Sequence, residues 1–193
     1  MPTRPAVYSR DRDRNRTGWR NPKKCSSANE PKHGRNPRAS FRPGDVLINH
    51  DIRRVIVDSY RSLQSPDWSF VMTRLSQGLY DDVVDEIAAL GAISETTDPN
   101  DDCSRCITVI RGTEAITVRL SLVGSYACVH DSDGRFLEPS DAPADSLTGG
   151  IAHCLERHGL QVLGTAELST TIEFGSSQVL LYEVMFSTDG LLP

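Results

Sequence analysis

Between Cys106 and Leu137 apolar and polar residues alternate, the signature of an extended chain that presents successive side chains to opposite sides. The alternation is nearly complete in Cys106-Ile107-Thr108-Val109-Ile110-Arg111 and resumes after Gly112-Thr113-Glu114. From there Ile116, Val118, Leu120 and Leu122 fall on one side, and Thr117, Arg119 and Ser121 on the other. A period of two predicts an antiparallel hairpin with one buried and one solvated face. Gly124 interrupts the pattern, as a bulge that re-aims a strand would, and Tyr126, Cys128 and His130 continue it. Asp131-Ser132-Asp133-Gly134 then reads as a hairpin turn. Asp133-Gly134 fits a two-residue loop with positive φ at both central positions, and Arg135-Phe136-Leu137 is the expected returning strand.

The segments around this frame follow other periods. Val46-Leu47-Ile48 reads as a short strand or hydrophobic lead-in, with Asn49 or Asp51 able to cap a helix after it. Ile52, Val55, Ile56, Tyr60 and Leu63 lie at helical spacing, although the β-branched run Val55-Ile56-Val57 keeps a strand open as an alternative. Ser65 as cap, Pro66 at the first helical position and Asp67 near the positive helix end predict a helix striped by Trp68, Val71, Met72 and Leu75. After Gly78 a second stripe, Leu79, Val83, Ile87 and Leu90, runs to a stop at Gly91. Ser94 to Ser104 and Glu138 to Asp145 read as exposed acidic connectors. Ser146 caps a helix ended by Gly159, Leu160 to Leu168 leads into a strand, and Gln178 to Phe186, apolar on both faces, reads as a central strand. The fold predicted is therefore α+β: a mostly antiparallel sheet with a hairpin around 106–137 and strands near 161–168 and 178–187. Two to three N-terminal helices and one helix at about 146–158 complete it.

Charge divides the chain in two. Residues 1–43 hold twelve Lys or Arg against three Asp or Glu and contain no Leu or Ile, whereas residues 44–193 hold nine Arg, no Lys and twenty-three acidic residues. The first stretch cannot bury enough apolar surface to offset the entropy of ordering, so it is expected to be a disordered basic arm. It suits a phosphate-binding arm through Arg10, Arg12, Arg14, Arg16 and Arg20 with Tyr8 and Trp19, or an organelle presequence without the usual apolar stripe. The plainest reading is a solvated tail, or sequence upstream of a true start near Val46 or Leu47. Residues 44–193 are expected to form one acidic globular domain. No apolar run approaches the ~20 residues needed to span a bilayer, and five scattered cysteines suit reduced thiols in a cytoplasmic setting.

One constellation has the residue types of a metal centre. Cys103-x-x-Cys106 could supply two ligands of tetrahedral zinc from a loop, and Cys154-x-x-x-His158, sharing a helix face, the other two. Buried thiols acting as small hydrophobes are the plainer alternative. A thiol nucleophile, Cys154 or Cys128 with His130, His153 or His158 as base, lacks any surrounding signature. The Asp131 to Gly134 segment fails the spacing of a calcium loop, and Asp81, Asp82, Asp85 and Glu86 read as a solvated helix face. Gly149-Gly150 at a helix start could let backbone amides approach an anion. These features lead to two expectations. The first is a non-catalytic binding module whose acidic surface engages a basic protein partner, comparable to inhibitors and immunity proteins in charge and size alone; nucleic acid would meet only the N-terminal arm. The second is a small zinc- or thiol-dependent enzyme using Cys103, Cys106, Cys154 and His158.

Overall fold

The computed structural model describes residues 50–138 and 142–187, so the expectations for the 1–43 arm and for Val46-Leu47-Ile48 lie outside the described residues. Among these residues no helix is long and apolar enough to cross a membrane.

Helix α1 (His50–Tyr60) buries Ile52, Ile56, Ser59 and Tyr60 at spacings of three and four, so the β-branched run is helical. A buried stripe outweighs the modest intrinsic preference of Val and Ile for strands. Asp51 lies in its first turn, where a carboxylate complements the helix dipole. Helix α2 (Ser69–Ser76) starts later than Ser65-Pro66 suggests. Ser62 Oγ accepts the N–H groups of Gln64 and Ser65, while Asp67 Oδ1 accepts that of Ser69. These side chains hold residues 62–68 in successive turns that compete with helix. Gly78 and Tyr80, both with positive φ, turn the chain into α3 (Asp81–Ala88).

Five strands form one sheet in the order β1-β2-β3-β4-β5: β1 (Ala92–Glu95), β2 (Ser104–Arg111), β3 (Glu114–Ser121), β4 (Tyr126–Asp131) and β5 (Gln161–Val162). The first three pairings are antiparallel, and β5 joins β4 in parallel after the crossover helix α4 (Leu147–Arg157). The α+β architecture with a mostly antiparallel sheet is thus present, with local departures. The start of the expected 94–104 connector belongs to β1, an exposed edge strand paired from Ala92↔Ile110 to Glu95↔Ile107. Gly124 is part of a full reversal, because β4 runs back along β3 from Leu120↔Ala127 to Ile116↔Asp131. The reversal is held from outside: Ser59 Oγ and Arg74 donate to Val123 O, Arg74 also donates to Leu122 O, and the Tyr80 hydroxyl donates to Gly124 O. At the next turn Asp131 Oδ1 accepts from Asp133 N and Arg135 N, both at 2.9 Å, and only Gly134 takes positive φ. The return is a single bridge, His130↔Phe136, instead of a strand.

The two sheet faces are not one dry and one wet. Ile107, Val109, Ile116, Val118, Leu120, Ala127 and Val129 pack with Val83, Val84 and Ile87 of α3 and Ile151, Cys154 and Leu155 of α4. On the opposite face Ser104, Arg119 and Ser121, expected in solvent where the pattern placed them, are buried. There the segment Leu181–Met185 covers the sheet. Ser104 Oγ donates to Phe186 O at 2.9 Å and Ser121 Oγ to Met185 O at 2.7 Å, satisfying carbonyls at the end of α6 (Leu181–Met185) that have no partner within the helix.

That helix replaces the second half of the expected 178–187 strand. Only Ser177–Leu180 is extended, as β7, paired with β6 (Thr171–Phe174) in a separate two-stranded sheet. A run apolar on all sides fits a buried helix as well as a buried strand. Glu183 tips the choice, because its Oε2 accepts the Leu180 N–H at 2.7 Å and caps the first turn. In the same way the expected 161–168 strand is extended only over Gln161–Val162 before a single turn, α5 (Thr165–Leu168), which Glu167 caps through Gly164 N. The expected 146–158 helix is present as α4, with Ser146 Oγ accepting the Gly149 N–H at 2.9 Å.

Candidate functional site

The four residues singled out for zinc do not converge. Cys103 lies in the cluster formed by α1 and α6, where its thiol donates to Val184 O at 3.3 Å and burial pushes its pKa up to about 12. Cys106 is on β2 opposite Arg119, and its sulfur accepts from Thr96 Oγ1 at 3.4 Å. Cys154 packs on the other face of the sheet, against α3. Spacing in sequence cannot show that a loop and a helix lie on opposite sides of a sheet.

Cys154 and His158 do face one set of groups, supplied by α3. His158 Nε2 is 2.9 Å from Glu86 Oε2 and its Nδ1 is 3.3 Å from Asp82 Oδ2, while Arg157 pairs with Glu86 Oε1. The ligand atoms of Glu86, Cys154 and His158 lie within 4.8 Å of one another. Each helix contributes residues four apart, which share a face. The carboxylates read from sequence as a solvated face are therefore partly turned toward α4. Burial, with the Asp82 carboxylate adding to it, raises the Cys154 pKa and favours the thiol over a nucleophilic thiolate.

The other chemical readings meet a structural explanation. Cys128 is fully buried, and His130 packs edge-on to Phe136 with ring centroids 5.9 Å apart. His153 is exposed, whereas its neighbour Cys154 is buried. The Gly149 and Gly150 amides are engaged by Ser146 Oγ and Ser146 O. A Cβ on Gly149 would overlap the Pro143 carbonyl, so the missing side chain serves close packing with the preceding segment.

The exposed aromatic of α2 forms a different kind of site. Trp68, 44% exposed, lines a hollow of about 250 Å³ with Val71 and the segment Pro99 to Asp102, and Met72, four residues on, is 60% exposed. Trp68 is held edge-on to Tyr60, centroids 4.8 Å apart, and to Phe174 at 5.8 Å. Hydrogen bonds from Ser69 hold the adjacent Asp67 carboxyl below the usual carboxylate range. The opposite wall is built by side chains too: Asp98 Oδ1 accepts the Asn100 N–H and Asp102 Oδ2 accepts the Asp98 N–H. Trp68 and Met72 were read from sequence as core-facing positions. Asp67 was read as a first-turn helix residue and Asp98 and Asp101 as part of an acidic connector, so nothing local pointed to this grouping.

Several arginines are engaged within the fold. Of the nine arginines in residues 44–193, Arg74 donates inward to the Leu122 and Val123 carbonyls and Arg119 pairs with buried Asp102. Arg105 is gripped by both oxygens of Glu95, each at 2.9 Å, and by Asp81.

No family model matches this chain, and neither does any curated protein or solved structure.

Proposed function

We propose that the protein is a binding module that docks a basic protein segment on the Trp68–Met72 surface. The observation that carries this reading is Trp68 itself, fixed by two edge-on aromatic neighbours while nearly half exposed. A pre-ordered aromatic beside a hollow gives contact area at little entropic cost, which is why Trp dominates the energetics of many interfaces. The acids around it set the partner's charge. Asp101 lines the hollow, Asp67 and Asp98 flank its lining residues Trp68 and Pro99 in sequence, and residues 44–193 carry nine Arg against twenty-three acidic residues. Such a surface accelerates encounter with cations and repels nucleic acid. The partner chemistry that fits is a Lys/Arg-rich segment presenting one apolar side chain for the hollow.

Trp19 and Trp68 are the two tryptophans of the chain, so full-length protein carrying Trp19→Phe reports from Trp68 alone. Titration with a Lys/Arg-rich amphipathic peptide should change its emission saturably, with association slowing steeply as salt rises. Met72→Ala should weaken binding roughly tenfold, the scale of an interface anchor. An acidic peptide of the same apolar pattern should leave the emission unchanged; equal responses to both peptides would sink the reading.

A further inference from the structure

We propose that α3 and α4 together form a zinc(II) site whose ligands are Cys154 Sγ, His158 Nε2 and Glu86 Oε2, with Asp82 as the partner that orients the histidine. The proposal is independent of the docking surface. It begins with two residue pairs at four-residue spacing, Asp82 with Glu86 on α3 and Cys154 with His158 on α4, brought face to face by the packing of both helices on one side of the sheet. One ligand atom from each of Glu86, Cys154 and His158 already lies within 4.8 Å of the other two. Tetrahedral bonds of about 2.0–2.3 Å need separations of roughly 3.3–3.8 Å, so Nε2 and Oε2, now 2.9 Å apart, must open slightly to admit the ion, an adjustment within reach of side-chain rotation on fixed helices.

The contacts around the imidazole assign the roles. Its two nitrogens face two different carboxylates, Nε2 toward Glu86 at 2.9 Å and Nδ1 toward Asp82 at 3.3 Å. A metal-binding histidine characteristically gives its second N–H to a carboxylate, which fixes the tautomer and strengthens the donor nitrogen. Asp82 is placed to accept that proton while Nε2 binds the ion. Glu86 divides its oxygens in the same sense, Oε1 to Arg157 and Oε2 toward His158, so the ligand oxygen is held from behind. A simple interhelical ion pair needs no thiol; here Cys154 supplies one from the buried side, within reach of both partners.

The donor set selects the ion. One thiolate, one imidazole and one carboxylate suit zinc, whereas magnesium and calcium take oxygen ligands almost exclusively. The charges of a divalent ion, the thiolate, both carboxylates and Arg157 cancel. His158 and Glu86 side chains are 23% and 31% exposed, which gives the ion a path in and leaves the fourth position facing solvent, open to water or a small anionic ligand.

Cobalt(II) added to chelator-treated full-length protein is the test, because it reports thiolate ligation through a charge-transfer absorption. One equivalent should bind with that band, in the wild type and in a Cys103→Ser/Cys106→Ser variant alike, and zinc should displace it. Cys154→Ser should abolish the band. His158→Ala, at a partly exposed position that leaves the core intact, should lower affinity at least a hundredfold. Asp82→Asn should keep the band and weaken binding ten- to a hundredfold, as loss of an orienting partner does. Failure to take up one equivalent, a band that survives Cys154→Ser, or undiminished affinity in His158→Ala would each overturn the proposal.

Discussion

Arg119 Nη1 and Asp102 Oδ1 lie 2.8 Å apart, with side chains 7% and 9% exposed, so a charge-assisted hydrogen bond joins the middle of β3 to the residue just before Cys103 and β2. The other oxygen, Asp102 Oδ2, accepts the Asp98 N–H at 2.8 Å. One buried carboxylate therefore ties the sheet to the loop that walls the hollow beside Trp68. Removing one member strands the other charge away from water. Asp102→Asn or Arg119→Met should each destabilise the fold by about 3–5 kcal/mol. The double variant should lose clearly less than the sum, because the two changes remove the same interaction. Urea denaturation of the four proteins measures both quantities.

Tyr60 is the corresponding hub in the apolar layer. It is fully buried, donates to Val184 O at 2.7 Å, and meets Trp68, Phe70 and Phe174 edge-on. Tyr60→Phe should cost about 0.5–1.5 kcal/mol, the loss of one buried hydrogen bond to a carbonyl that the Cys103 thiol still meets at 3.3 Å, while keeping the rings in place. Burial also holds the phenol far above its ordinary pKa. For a folded pKa above the unfolded one, stability is complete below the unfolded value near 10.0 and falls as pH rises past it. Wild type should therefore lose stability above about pH 10, and Tyr60→Phe should show a shallower alkaline decline. Parallel slopes would exclude Tyr60 as the titrating group.

The edge strand carries the opposite dependence. Hydrogen bonds from Arg105 hold the Glu95 carboxyl below its ordinary value near 4.5, with Thr97 assisting. A depressed folded pKa contributes stability above the unfolded value that is lost as pH falls through the folded one. Because the group is largely exposed, the effect should be a few tenths of a kcal/mol. Glu95→Gln should reduce stability near neutrality and flatten the decline in acid below about pH 4.5, which denaturant midpoints across that range would record.

Where elements form was legible wherever a period ran long enough. The strands over 106–131, the cap at Ser146 and the stripe of α3 follow from alternation, capping chemistry and helical spacing, all properties of residues close in sequence. The central strand expected at 178–187 failed because its apolar residues fit two structures equally. Glu183, reaching back to the Leu180 N–H, chose the helix.

What the chain alone determined is local: which segments extend, which coil, and that residues 44–193 carry an excess of negative charge. Tertiary packing decided what lies beside what. Arg119 and Ser121 read as solvated strand positions, but in the fold both are buried, Arg119 paired with Asp102 and Ser121 donating to Met185 O of α6. Cys154 and His158 were visible as a pair, but Glu86 and Asp82 became their neighbours only when α3 and α4 packed on one face of the sheet, and that same packing left Cys103 and Cys106 on the other. The reason is physical. Periodicity records the burial of a face, whereas the identity of the group across that face depends on contacts between residues seventy positions apart, which no local spacing encodes.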